Sequence, residues 1–336
     1  MFVIEKEELV IYPVAFNLYI DKLNNYQKDS ENRRRNILLT NEGRLDEADI
    51  RKIQKDISQY GQQRIILIDF QNFIVKDSRN FSIILADKEK CMAFANLSIG
   101  IFEKVATDLK ISKNLQDREQ GIIYSNEEAY DYMMRNGKIS KLSKIYCDYL
   151  AELISECLEE SEKEREFLES SCVFSNKYVN IKKIFRKPEA ARFLIYSLSC
   201  EIKQLLGGVG DYKLICTSKT GAIIANIISH MLNVPVVYCV GVGPKFAVKP
   251  EEIVGKVQEH EKYIYIFDFI CMGTELKILS TFVSDRKSRL ICGVGPASYI
   301  RCDHPEISKR KLILSKMHPL INVQDYPNMD YKIEIP

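Results

Sequence analysis

The strongest constraint on this chain is a series of short, almost unbroken apolar runs, each followed by a segment with helical spacing. Residues 64–70 read RIILIDF, 91–97 CMAFANL, 213–216 KLIC, 235–240 PVVYCV and 263–267 YIYIF. A strand that is apolar on both faces belongs inside a sheet covered by helices on both sides, which is the habit of parallel sheets. Between the runs, apolar residues recur at intervals of three and four: Ile50, Ile53 and Ile57 behind a capping Asp46 are one such set. Strand–helix alternation with short connections implies βαβ units with right-handed crossovers, and so a layered α/β architecture.

The alternation occurs twice. In the first half, strands are expected at 36–40 (NILLT, ended by Asn41-Glu42-Gly43), 64–70, 91–97 and 121–124. The helices between them are expected over 47–60, from Asp77 and Ser78 with Phe81, Ile84 and Leu85 inward, over 101–109, and after a capping Asn126. The second half resumes with a strand at 178–182 (YVNIK) and a helix from Pro188 through Phe193, Ile195, Leu198 and Ile202, stopped by Gly207, Gly208 and Gly210. Strands at 213–216, 235–240, 263–267 and 289–294 follow, with helices at 222–232 and 276–282; past Asp303 no period is evident. Between the halves, residues 139–169 carry a helical pattern. Leu142, Ile145, Tyr149, Leu153 and Cys157 form one apolar stripe, and a nearly all-charged end (EESEKEREFLES) follows Leu158. That stripe must pack on something, so a protein partner or a second copy of the chain is expected to meet the N-terminal domain and this helix.

With 336 residues the chain exceeds the usual size of one hydrophobic core, and two domains of about 150 residues each follow. Lys and Arg number 48 against 46 Asp and Glu, a net charge of +2, which argues against wholesale nucleic-acid binding. The three arginines Arg33, Arg34 and Arg35 read as a solvated loop. The N-terminus, MFVIEKEELVIYP, lacks the basic-then-apolar pattern of a secretory leader, and no run approaches the ~20 apolar residues needed to cross a bilayer. A cytoplasmic protein with reduced thiols and no membrane partner is therefore expected. The ten cysteines contain no C-x-x-C pair and the four histidines (230, 260, 304, 318) are scattered, so zinc spacing is absent and the thiols read as small buried hydrophobes.

Two loops carry the candidate chemistry, each placed after a buried strand and before a helix, where ligands bind in parallel α/β sheets. Thr217-Ser218-Lys219-Thr220-Gly221-Ala222 follows KLIC; its hydroxyls, its N–H groups, the following helix and Lys219 suit a phosphate or pyrophosphate oxygen. Phe267-Asp268-Phe269-Ile270-Cys271-Met272-Gly273-Thr274-Glu275 follows YIYIF; Gly273 permits a tight turn around an anion, and Asp268 can accept hydrogen bonds from ribose hydroxyls.

With these two loops in place, residues 173–300 resemble the type I phosphoribosyltransferase family. There, a loop of the form acid-acid-apolar-apolar-Thr/Asp-x-Gly-x-Thr cradles the 5-phosphate of phosphoribosyl pyrophosphate (PRPP), and a loop after the first core strand holds the pyrophosphate. The resemblance implies a Rossmann-like parallel sheet and a phosphate and ribose site made by Thr217, Ser218, Lys219, Thr220, Gly221, Asp268, Cys271, Met272, Gly273 and Thr274. It also implies Mg²⁺ near Asp268, no tightly bound organic cofactor, and a catalytic set of Asp268 with Lys245 and Lys249 on a basic loop. The motif departs from the family at Phe267, where the first acid belongs, at Cys271 and Met272, and at Glu275, whose negative charge would oppose a bound phosphate.

The first half is similar to a STAS-like regulatory domain, on ILLTNEGRLDEADIRKIQKDI, RIILIDFQNFIVKDSRNFSIILAD and CMAFANLSIGIFEKVATDL. That similarity implies a regulatory, partner-facing role for Asp69 and Ser78. The fold expected is thus two layered α/β domains joined by a long helix: 1–135 STAS-like, 136–172 helical linker, 173–336 phosphoribosyltransferase-like. The function expected is a sensor or effector binding a nucleotide or ribose phosphate, of the kind that suits bacterial stress or phage-defence systems. The alternative is an active ribosyl-phosphate transferase or nucleotide-cleaving enzyme using Mg²⁺ and PRPP or a nucleotide.

Overall fold

The computed structural model describes residues 1–6, 8–18, 44–45, 47–60, 64–70, 74–75, 84, 91–97, 99–108, 110–117, 121–136, 142–162, 166–168, 173–206, 211–239, 253–254, 257–271, 273–299 and 316–334. Two compact units emerge, Met1–Ile145 and Tyr146–Pro336. The expected strand at 36–40, the Arg33–Arg35 run and the helix start at Asp77 and Ser78 lie outside the described residues. No described helix is long and apolar enough to cross a membrane.

In the first unit, β1 (Ile4–Lys6) and β2 (Leu9–Pro13) form a hairpin, β3 (Arg44–Leu45) precedes α1 (Glu47–Ile57), and β4 (Ile65–Asp69) follows. Next come β5 (Ile74–Val75), β6 (Met92–Ala95), α2 (Ile99–Asp108), β7 (Gln116–Asp117), β8 (Ile122–Tyr124) and α3 (Glu127–Asn136). The main sheet has the order β1-β2-β4-β6-β8-β7. Strands β2, β4 and β6 are parallel and buried at every position, as the unbroken apolar runs require. Ile50, Ile53 and Ile57 of α1 are buried in the same core. Within it Tyr12 donates to Asp56 at 2.6 Å, so the one carboxylate on the inner side of α1 is satisfied. Asn126 caps α3, its side chain accepting from Ala129 N–H at 2.9 Å.

Two features of this unit go beyond the strands expected from the sequence. The segment LVIYP, five residues long, is the parallel neighbour of β4, pairing from Leu9↔Ile65 to Pro13↔Asp69. And β8 runs antiparallel to β6, because β7 and β8 form a hairpin whose turn includes Gly121 at φ 65°.

The chain crosses between the units in α4 (Leu142–Ser155). The expected helix over 139–169 therefore ends early, and part of the expected linker is strand: β9 (Leu158–Glu160) and β10 (Glu166–Leu168) precede β11 (Val173–Ser175) and β12 (Lys177–Val179). Glu159 and Glu160 find partners on later residues instead of along a helix. β9 pairs antiparallel with β12; Glu160 meets Lys177 at 3.0 Å, and Glu159 meets Lys183 at 2.9 Å and Asn180 at 3.0 Å. The strand expected at 178–182 is correspondingly shorter. Ile181–Arg186 winds into a 3₁₀ segment that buries Ile181 and Ile184, three residues apart, and leads to Pro188.

From α5 (Pro188–Leu206) the second unit alternates: β13 (Lys213–Cys216), α6 (Lys219–Leu232), β14 (Val236–Cys239), β15 (Ile253–Val254), β16 (Lys262–Ile266), β17 (Phe269–Ile270), α7 (Thr274–Asp285) and β18 (Arg289–Ser298). The tail supplies β19 (Met317–Asn322) and β20 (Ile333–Glu334). The large sheet runs β15-β14-β13-β16-β18, with β17 and β19 also on β18; all pairings are parallel except that of β15. Strand β19 lies close because residue 293 is glycine: a Cβ there would stand 2.5 Å from Met317 Sδ. Ala190, Phe193, Leu194, Leu198 and Ile202 bury the inner face of α5, which packs on α6 and β18.

Candidate functional site

Strand β13 has β14 on one side and β16 on the other, both parallel to it. The chain leaves β13 through α6 toward β14, and the next parallel strand, β16, lies on the opposite side. Right-handed crossovers running in opposite directions put α6 and α7 on opposite faces and open a crevice where the order reverses. Cys216 pairs with Ile266, so Thr217 and Phe267 leave the two strands at the same level. The Thr217–Ala222 and Phe267–Glu275 loops, about fifty residues apart in sequence, are thus neighbours at the carboxyl edge.

The first loop is mostly helix. α6 begins at Lys219, three residues before the start read from the sequence, with Ser218 as N-cap accepting from Gly221 N–H at 2.9 Å. Gly221 is required by packing: a Cβ there would lie 3.0 Å from the Ile266 carbonyl oxygen, so its absence lets the first turn of α6 rest on the end of β16. Thr220 is buried, Lys219 is exposed, and Thr217 and Ser218 are partly exposed.

The second loop turns at Gly273, whose φ of 67° lies in the left-handed region and which offers no side-chain cap to α7. Asp268 is partly exposed, with Oδ1 accepting from Phe269 N–H at 3.0 Å. Cys271 is buried in the core, and burial pushes its thiol up to about 12. Phe267 is likewise core, 1% exposed. Met272, Lys245, Lys249 and Ser78 lie outside the described residues.

The two loops are tied together by a triad that the sequence pattern did not announce. Glu275 Oε2 accepts from Thr217 Oγ1 at 3.2 Å and from Tyr265 OH at 3.4 Å, while Thr217 Oγ1 and Tyr265 OH are 2.8 Å apart. Burial pushes the Glu275 carboxyl above its ordinary value and Asp268 adds to this, against the hydrogen bonds from Thr217 and Tyr265. Burial, with Glu275 next, also holds the Tyr265 phenol well above its usual range, so it is a neutral donor. The alternation in YIYIF was the available signal: it puts Tyr263 and Tyr265 on one face.

Mg²⁺ is usually held by one or two carboxylates together with waters and substrate phosphates. Among the described residues no group of three His, Cys, Asp or Glu side chains is placed to hold a metal ion. Asp69, in the first unit, is 1% exposed and accepts from Asn96 Nδ2 at 2.8 Å, holding that residue at φ 54°. Its carboxylate therefore ties the end of β4 to the residue after β6.

No protein-family model matches the sequence, and no curated protein does. Among solved structures, adenine phosphoribosyltransferase from Trypanosoma brucei, in complex with AMP, pyrophosphate and ribose-5-phosphate, is 13% identical with a TM-score of 0.39, over 52% of this chain and 80% of that one. A phosphoribosyltransferase from Corynebacterium diphtheriae is 11% identical with a TM-score of 0.39, over 54% and 98%. Orotate phosphoribosyltransferase from Aeropyrum pernix is 13% identical with a TM-score of 0.37, over 52% and 95%. These are remote likenesses, each covering about half of the chain.

Proposed function

We propose that the second unit is a ligand-binding α/β module that takes a nucleotide or ribose phosphate in the β13–β16 crevice and acts as a sensor. The observation that carries this reading is the side-by-side placement of the Thr217–Gly221 and Asp268–Glu275 loops at the point where the strand order reverses. One loop brings the N-terminus of α6 with exposed Lys219, suited to a phosphate; the other brings Asp268, suited to ribose hydroxyls. The first unit, read as STAS-like, would carry the signal to a protein partner or a second copy, an arrangement that suits bacterial stress or phage-defence signalling.

A sensor is favoured over an enzyme by what has become core. Phe267 and Cys271 stand at motif positions where the resemblance implies an acid and a hydroxyl or carboxylate, and both are buried. The second reading, ribosyl-phosphate transfer or nucleotide cleavage, is favoured by one observation: Asp268 keeps its place at the crevice, partly exposed.

Thermal unfolding of the full chain with ribose 5-phosphate, AMP, and PRPP plus Mg²⁺ tests both. A ligand at a hundred times its Kd stabilises by about 2.7 kcal/mol, so the midpoint should rise with ligand concentration. Absence of a shift with every one of them would sink the crevice reading. Release of pyrophosphate or free base, lost in Asp268→Asn, would establish the enzyme reading instead.

A further inference from the structure

Resting on the reading of the crevice as a ribose-phosphate site, we infer that Glu275 is a specificity-determining residue that makes the crevice take its anionic ligand together with a proton.

The argument begins with the supply of hydrogens. Thr217 Oγ1, Tyr265 OH and Glu275 Oε2 lie within 2.8, 3.2 and 3.4 Å of one another. While Glu275 is ionised the three oxygens share two hydroxyl hydrogens, and a carboxylate only accepts. Thr217 has a single hydrogen, which it spends on Glu275. An anion arriving at the end of β13 needs that same hydrogen, and taking it would leave the carboxylate with the more distant phenol alone.

One added proton resolves the conflict. Protonated Glu275 donates to Thr217 Oγ1, and the Thr217 hydrogen turns to the ligand. The chain of donors then runs from Glu275 through Thr217 to the anion, with the proton drawn from solvent and no covalent bond to carbon changed.

The surroundings favour that exchange. Glu275 is partly buried, and among the described residues it has no ion-pair partner. The groups facing it are the Thr217 hydroxyl just past β13, the neutral Tyr265 phenol from β16 and the negative Asp268 just past β16. A second negative charge brought by a ligand adds to the repulsion from Asp268, and protonation removes it. The carboxylate that opposes a phosphate in the sequence motif thus becomes, once protonated, the group that orients the donor toward it.

Calorimetric titration of the full chain with ribose 5-phosphate, in buffers of different ionisation enthalpy from about pH 5 to about pH 8, counts the protons taken up. Wild type should take up as much as about one more proton per ligand than Glu275→Gln, and the comparison cancels the titration of the sugar phosphate itself. Its Kd should weaken with rising pH by up to about tenfold per unit relative to that variant. Thr217→Val keeps the carboxyl and removes the relay hydroxyl, so the excess uptake should vanish there too, independently of how Glu275→Gln folds. Binding of ribose 5-phosphate with the same proton count in wild type and Glu275→Gln overturns the inference and leaves the crevice as a ligand site, and an excess retained in Thr217→Val overturns the relay through the Thr217 hydroxyl. No binding to wild type or Glu275→Gln at any pH overturns the site reading and the inference together.

Discussion

Phe267 and Gly295 occupy one space: a Cβ added at residue 295 would stand 2.3 Å from Phe267 Cδ2 and 2.5 Å from the Phe267 carbonyl oxygen. The ring also lies 5.8 Å from that of Tyr265, so the motif position where an acid is expected is instead a packed aromatic. Gly295→Ala should cost about 1–3 kcal/mol by overpacking, since the carbonyl half of the contact is backbone and cannot rotate away. Phe267→Ala should cost about 3–5 kcal/mol, and Phe267→Asp more than Gly295→Ala because it buries a charge. Urea unfolding of each variant measures this; wild-type stability in Phe267→Asp would mean that position is open to solvent.

Tyr12 and Asp56 hold α1 to β2 by a 2.6 Å hydrogen bond between side chains that are 0% and 7% exposed. Tyr12→Phe leaves the ring packing and removes only the donor. The expected loss is about 1–3 kcal/mol, limited because Lys52 still pairs with the same Asp56 oxygen at 3.2 Å. Denaturant unfolding of the first unit's signal is the measurement, and a double variant with Lys52→Met should lose more than either alone.

Glu275 should make stability pH-dependent even without ligand. Its carboxyl is raised in the folded chain, chiefly by burial, so between its ordinary value and the folded one the native state holds more protons than the unfolded state. Stability from this group is complete below the ordinary carboxyl value and is lost as pH rises through the folded value. The unfolding midpoint of wild type, compared with Glu275→Gln, should therefore fall from acidic toward neutral pH. A difference that is flat across that window would contradict the burial described for this side chain.

Thiol labelling should separate the cysteines sharply. Burial pushes Cys216 and Cys271 up to about 12 and Cys239 and Cys292 up to about 11, whereas Cys147 is exposed. Native protein treated with a maleimide near neutral pH should be modified at Cys147 well before these four, which should react only after unfolding. Mass spectrometry of wild type and Cys147→Ser checks the assignment.

The strand runs and helical stripes were legible because burial on both faces leaves a local mark. RIILIDF and YIYIF lie on β4 and β16, and Pro188 starts α5. The misreadings share a cause. The charged residues after Leu158 match a solvated helix equally well, and pairing with Lys177–Val179, brought in from later in the chain together with Lys183 and Asn180, makes Leu158–Glu160 a strand. LVIYP is too short to separate strand from helix by period, and MHPLIN lacks the unbroken apolar pattern; each becomes a strand by pairing with a distant partner.

The same division holds at the crevice. Local sequence alone determined that two loops suited to an anion follow buried strands, and that Gly273 permits the turn within the second of them, because strand, cap and turn preferences act within a few residues. Only the tertiary structure decided that β13 and β16 are adjacent, that Phe267 and Cys271 are core, and that Glu275 reaches Thr217 and Tyr265. Those outcomes depend on strand order and on burial, which groups far apart in the chain settle jointly, and they set which hydroxyls the Glu275 carboxylate meets.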